Sequence, residues 1–246
     1  MKSKGLFITA TDTGVGKTEV AAALAAFIKN KRKIENVQLW KPVQSGVVMG
    51  DPEADSYRLL NGSGLNQKEE DIATYTFSQP LAPWIAAERE GKKVDFLKLV
   101  EEGRNRLHHS DFLITEGAGG LIVPITQDKT IANLASELNL PMILVARAGL
   151  GTVNHTCLSI SYAHKMGLEV KGVILNGYQD ETDPSLEENI TMIEKFGGVS
   201  VIGKLPWMNY QNEQKMNWPL RRKKWIEIID KHLDLKSIFE YILINE

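Results

Sequence analysis

An aliphatic run at residues 6–10 leads directly into Thr11-Asp-Thr-Gly-Val-Gly-Lys-Thr18 and then into an alanine-rich stretch, 18–29. Strand, glycine-bearing turn and helix, in that order, form the setting of a phosphate-binding loop. Gly14 and Gly16 let the backbone curl until successive N–H groups converge on one concavity. The helix N-terminus adds further donors and a partial positive charge. Lys17 is suited to neutralise β- and γ-phosphates, and the Thr18 hydroxyl to coordinate Mg²⁺. The strict pattern G-x-x-x-x-G-K-[ST] would put its first glycine at position 11, which is Thr11 here. An ordinary strand-to-helix turn containing Gly-Lys-Thr is the competing reading, and the flanking strand and helix argue against it.

Further runs at 37–40, 112–115, 142–146, 170–175 and 199–202 do not alternate with polar residues, as expected of strands buried on both faces. Helix-length segments lie between them. Residues 18–29 are apolar nearly all round and predict a buried helix, whereas 96–107 is more amphipathic. Segments 154–166, 184–196 and 237–244 are further helical candidates. Strands alternating with helices predict an α/β fold: a P-loop NTPase-type three-layer sandwich with a mostly parallel sheet covered by helices on both faces. Ligands of such folds bind along the edge formed by the strand C-termini. No low-complexity linker or internal repeat divides the chain, so residues 1–246 are expected to be a single catalytic domain.

A net charge of −2 offers no global attraction to nucleic acid or an anionic membrane, so charge for a phosphorylated ligand must be concentrated locally. The single cysteine, Cys157, excludes an intrachain disulfide and points to a reduced cytoplasmic setting; its helical spacing reads as core. The N-terminus reads as the lead-in to a strand and not as a signal peptide. No stretch reaches the roughly 20 apolar residues of a membrane-spanning helix.

Three other segments carry candidate chemistry. Run 37–40 ends in Lys41-Pro-Val-Gln-Ser-Gly46, where a lysine at a strand end would meet developing negative charge and Ser45 offers a small hydroxyl. A surface lysine beside a turn is the plainer alternative. Run 112–115 ends in Glu116-Gly-Ala-Gly-Gly120, an acid placed for a second Mg²⁺ contact followed by glycines that admit a ligand closely. Asp51, Glu53 and Asp55 precede a short helix at 57–60, and spacing does not separate them as metal ligands or helix caps. Asn176 and Leu205-Pro-Trp207 follow the late strands, where loops could hold a base. His108-His109 reads as a solvated helix end, Lys29 to Lys33 as cations at a helix C-terminus, and Arg221 to Lys224 beside Trp225 as a solvated helix face.

Taken in order, these loops resemble dethiobiotin synthetase, a family of ATP-dependent enzymes. The resemblance rests on Ala10-Thr-Asp-Thr-Gly-Val-Gly-Lys-Thr18, Lys41-Pro-Val-Gln-Ser-Gly46, Glu116–Gly120 followed by Leu-Ile-Val-Pro124, and Gly151-Thr-Val-Asn-His155. It departs from the family where Ala10 replaces the first loop glycine and Gly14 an acid. The resemblance implies ATP with Mg²⁺ as cofactors, 7,8-diaminononanoate and CO₂ as substrates, and a homodimer, with no nucleic acid or membrane partner. It implies Lys17 and Lys41 as catalytic and Thr18, Asp55 and Glu116 as metal-holding. Nucleotide contacts are implied for Thr13, Gly14, Val15, Gly16 and Glu19 in the first loop, and for Gly117, Ala118 and Gly119 in the third. Late contacts fall on Asn176, Gly177, Leu205, Pro206, Trp207 and Glu213. Ser45 and Thr13 are implied for the diamine end, and Gly149, Leu150, Gly151 and Asn154, at a helix N-terminus, for the substrate carboxylate. A partition-type regulatory ATPase is the alternative; its signature lysine would fall at Asp12, which argues against it. A relative acting in cobyric acid synthesis usually carries a glutaminase domain, for which 246 residues leave no room.

Overall fold

In a computed structural model, residues 4–207 and 217–239 are described. Strands β1 (Gly5–Ala10), β2 (Val37–Ser45), β3 (Ala73–Phe77), β4 (Phe112–Glu116), β5 (Met142–Arg147), β6 (Val170–Tyr178) and β7 (Val201–Pro206) form one sheet. Their spatial order is β3-β2-β4-β1-β5-β6-β7 and every strand pairing is parallel. The helices are α1 (Lys17–Lys31), α2 (Asp55–Ser63), α3 (Glu69–Ile72), α4 (Pro83–Arg89), α5 (Phe96–His109), α6 (Ile131–Leu138), α7 (Thr152–Lys165), α8 (Pro184–Gly197), α9 (Trp218–His232) and α10 (Leu235–Phe239). One apolar core joins α1, α2, α9 and α10 to one face of the sheet, and two others join α4 to α8 to the opposite face. Three layers result, as expected of strands that are apolar on both faces.

The helix that follows the phosphate-binding loop is enclosed. Residues from Lys17 to Ile28 of α1 are all buried, because the sheet lies on one side and α2 and α9 cover the other. That double cover is why the segment carries alanine all round instead of an apolar stripe.

Several expectations need correction. β3 was not foreseen: it is an edge strand whose Thr74, Tyr75 and Thr76 are half-buried, so its pattern is too polar for a buried run. β2 continues to Ser45 instead of stopping at 40, and β7 covers Val201–Pro206 instead of 199–202. Pro42 does not break β2, because pairing with β4 ends at Trp40↔Thr115 and only β3 pairs from Lys41 onward. The segment beginning at Arg221 is not a solvated face. Arg221 is 2% exposed with its guanidinium 4.5 Å from the Trp218 ring centroid, and Trp225 is 1% exposed; only Lys223 and Lys224 of that run face solvent. Cys157 is half-buried in α7 instead of in the core. Of the helix expected at 237–244, only the part within α10 falls among the described residues. Among those residues no helix is long and apolar enough to cross a membrane.

Candidate active site

The loops after β1, β2 and β4 meet at the C-terminal edge of the sheet around a cavity of about 370 Å³. β1 lies at the centre beside β4; the chain passes from β1 across β4 to β2, and from β4 across β1 to β5, so the crossovers diverge here and the cavity opens at the topological switch point. Ala10 is buried at the strand end, and a Cβ on Gly120 would lie 3.3 Å from its carbonyl oxygen, so the glycine lets the third loop pass close against the end of β1.

Gly14 and Gly16 have φ of +68° and +88°, the left-handed conformation that the curled loop requires. Gly16 is the N-cap of α1 and supplies no side-chain cap, which leaves the first N–H groups of the helix to an incoming anion. A Cβ on Gly16 would sit 2.1 Å from Asn176 Nδ2, which donates to the Val15 carbonyl at 2.8 Å. Gly16→Ala should therefore cost about 1–2 kcal/mol in backbone strain alone. It should also weaken nucleotide binding by about tenfold or more, since 1.4 kcal/mol is a factor of ten. Denaturation and nucleotide titration of the variant check both effects.

Four charged side chains form the floor. Lys41 Nζ lies 2.6 Å from Glu116 Oε1, 2.7 Å from Asp55 Oδ2 and 2.9 Å from the Gly117 carbonyl. Thr18 Oγ1 lies 3.0 Å from both Asp55 Oδ1 and Glu116 Oε1, and Lys17 Nζ lies 3.8 Å from Glu116. Lys41 is 1% exposed and Glu116 0%, so the surface-lysine alternative is excluded. Asp51 instead accepts from the Glu53 N–H in a turn, and the geometry singles out Asp55 from the three acids.

Burial opposes charge on Lys17, Lys41 and Asp55. For Lys41 burial is outweighed by Asp55 and Glu116, and its pKa is raised above 10.5. For Asp55 burial is outweighed by Lys41 and then Lys17, and its carboxyl is held below 3.8. Lys17 is held below the ordinary lysine value by burial and next by Lys41, against Glu116 and Asp55. It is the cation of the site that most lacks an anion.

A depressed carboxylate adds stability that is full above its unfolded pKa and lost as pH falls through the folded one. A raised lysine adds stability that is full below its unfolded pKa and lost as pH rises through the folded one. The stability gap between wild type and Asp55→Asn should thus be flat from pH 3.8 to 10.5 and close on either side. A gap that widens on acidification, in denaturant titrations, would contradict the pairing.

Other expected residues divide clearly. Thr13, Glu19, Ser45, Ala118, Gly119 and Trp207 line the cavity with the loop glycines. Ser45 Oγ donates to the Leu81 carbonyl at 2.7 Å. Glu19 is buried in an ion pair with Arg58. Trp207 packs over Gly177, where a Cβ would meet the indole at 2.5 Å. Val15 and Leu205 are core side chains, and Pro206 is half-buried next to Trp207. Gly149, Leu150, Gly151 and Asn154 stand outside the cavity at the start of α7, with Gly151 as a left-handed N-cap lacking a side-chain cap. An Arg147–Asp12 pair at 3.0 Å ties the end of β5, just before that segment, to the first loop. Glu213 lies outside the described residues. Glu53, one of the three acids, also lines the cavity, as do Gln44 and Arg58, for which no role was foreseen. The signals were present: Gln44 lies inside the Lys-Pro-Val-Gln-Ser-Gly run, and Arg58 is one turn from Asp55.

An AAA-domain family profile matches residues 4–215. ATP-dependent dethiobiotin synthetase BioD of Bacillus thuringiensis (strain Al Hakam) is 42% identical over 97% of this chain and 94% of that protein. The enzyme of the same name from Bacillus cereus (strain AH820) is 46% identical over 82% of this chain and 83% of its own length. Among solved structures, a ParA family ATPase from Chlorobium tepidum TLS has a TM-score of 0.55 at 13% identity, covering 99% of this chain and 98% of that one. The septum site-determining protein MinD from Pyrococcus horikoshii OT3, complexed with Mg-ADP, has a TM-score of 0.53 at 17% identity, covering 98% of this chain and 100% of that one. At such identity these two share the fold, whereas the sequence relatives define the kinship. The chain belongs to the ATP-dependent dethiobiotin synthetase family.

Proposed function

We infer that the chain is an ATP-dependent cyclo-ligase that forms C–N bonds, converting 7,8-diaminononanoate and CO₂ to dethiobiotin with release of ADP and phosphate. The observation that carries this reading is the cluster of buried Lys17, Lys41 and Glu116 with half-buried Asp55 beneath a phosphate-binding loop. We read residues 1–246 as one catalytic domain of a cytoplasmic enzyme.

ATP suits the cavity at both ends. The loop N–H groups and Lys17 face the phosphates. Asn176 Oδ1 is buried with no donor among the described residues, and it would accept from the exocyclic amine of adenine, beside Trp207. Mg²⁺ fits as well: Glu116 Oε2 is a buried acceptor without a donor among the described residues, and Thr18 and Asp55 present oxygens beside it. Thr18, Asp55 and Glu116 would hold the ion. Bound there, it would neutralise the charge of the β- and γ-phosphates.

One substrate amine adds to CO₂ and loses a proton, giving a carbamate. A carbamate oxygen attacks the γ-phosphorus, the bond to the bridging oxygen breaks and ADP leaves a carbamic-phosphoric anhydride. The second amine attacks the carbonyl carbon, expels phosphate and closes the ring. The substrate supplies both nucleophiles. Lys17 and Lys41 therefore stabilise charge, while Ser45 and Thr13 orient the diamine.

The carboxylate end of the substrate would lie on the first turn of α7, with a homodimer contributing the fully exposed Leu150 to the subunit contact. Asn154→Asp puts a like charge there and should raise the diamine KM about tenfold or more, leaving the ATP KM near wild type. Steady-state kinetics with each substrate varied decide it.

The whole reading is tested by phosphate release from ATP with and without the diamine and bicarbonate. Release should depend on both; release indifferent to the diamine would favour a regulatory ATPase on this fold.

A further inference from the structure

α2 begins without a side-chain cap of its own, because its N-cap residue is Ala54. The first N–H groups of a helix need acceptors from elsewhere. One comes from across the cavity: Gln44 Oε1, on β2, accepts from the Ser56 N–H at 3.0 Å. Gln44 Nε2 donates to Ser56 Oγ at 2.8 Å and to Thr76 Oγ1 on β3 at 2.9 Å. Ser56 Oγ in turn donates to Glu69 Oε1 on α3 at 2.8 Å. A backbone N–H only donates, so the amide orientation follows from that first bond. Gln44 and Ser56 are both buried, and Ser56 directly follows Asp55.

We propose that Gln44 is a positioning residue for Asp55. It holds the first turn of α2 against β2, the strand that also carries Lys41 and Ser45. The Asp55 carboxylate is thereby kept within reach of Thr18 and Lys41. A cap supplied locally would satisfy the helix equally well, but it would not fix the distance between α2 and β2. The inference rests on reading Asp55 as a metal ligand.

The probe is Mn²⁺, titrated into the full chain with saturating ADP and followed by water-proton relaxation. Gln44→Met keeps the volume and removes both polar functions. It should weaken Mn²⁺ binding about ten- to a hundredfold, as loss of a partner behind a metal ligand does, with ADP affinity in EDTA unchanged. The double variant Gln44→Met/Ala54→Ser gives α2 a cap of its own. It should regain thermal stability without regaining Mn²⁺ affinity. Wild-type Mn²⁺ affinity in Gln44→Met, or its return in the double variant, would reduce Gln44 to a helix cap and overturn the proposal. A wild-type chain that binds ADP but not Mn²⁺ would instead overturn the metal reading of Asp55, and this inference with it.

Discussion

Lys41→Met is expected to lower turnover about a hundred- to a thousandfold, the usual cost of removing one preorganised group that meets developing charge. Nucleotide affinity should change far less, because the loop N–H groups and Lys17 are untouched. The structure adds a second consequence. Lys41 compensates Glu116, which is wholly buried, and shares Asp55 with Thr18. Breaking a buried pair by removing one partner costs about 3–5 kcal/mol, so the variant should also melt earlier. Turnover must therefore be measured where circular dichroism shows the variant folded. Near wild-type turnover under those conditions would remove Lys41 from the chemistry and leave it a structural cation.

Trp225→Ala should produce the largest loss of stability without touching a ligand-facing group. The indole lies in the core under α9 and meets α1 and α2, where a Cβ on Gly62 would be 2.7 Å from it. It also stands edge-to-face with Trp218, ring centroids 6.3 Å apart. Truncating such a residue costs about 3–5 kcal/mol. For a chain of this size each kcal/mol lowers the melting temperature by about 2–4 °C, so a fall of roughly ten degrees is expected. Its Nε1 has no acceptor among the described residues, so Trp225→Phe removes an unsatisfied donor along with some volume and should cost much less. Equal losses in the two variants would show that the packing argument is wrong.

The sheet was legible in the sequence wherever both faces of a strand are buried, because such strands are unbroken aliphatic runs. β1, β4 and β5 are of this kind. Legibility failed where one side is open: β3 at the edge reads as polar, and β7 carries Gly203 and Lys204 within it. α9 failed for another reason. Its Arg221 and Arg222 look like solvent-facing charge, yet one lies over Trp218 and the other donates to the carbonyls of Asn61 and Gly62 at the end of α2. That Lys17, Lys41 and Glu116 would converge was readable because lysine and glutamate stand at loop and strand ends on one edge of the sheet. Gln44 and Arg58 were not, since their roles arise from what α2 and β2 do to each other, and no local pattern records that contact.

The sheet makes its own cleft. β2 and β4 run side by side as far as Trp40 and Thr115, then part company, and the Lys41 ammonium bridges the widening gap to Glu116 and the Gly117 carbonyl. Among the described residues the opening is an early fork in an otherwise continuous ladder. One more rung between these strands would zip the fork shut, and a chain with that longer ladder could keep every named side chain and still have nowhere to put a phosphate.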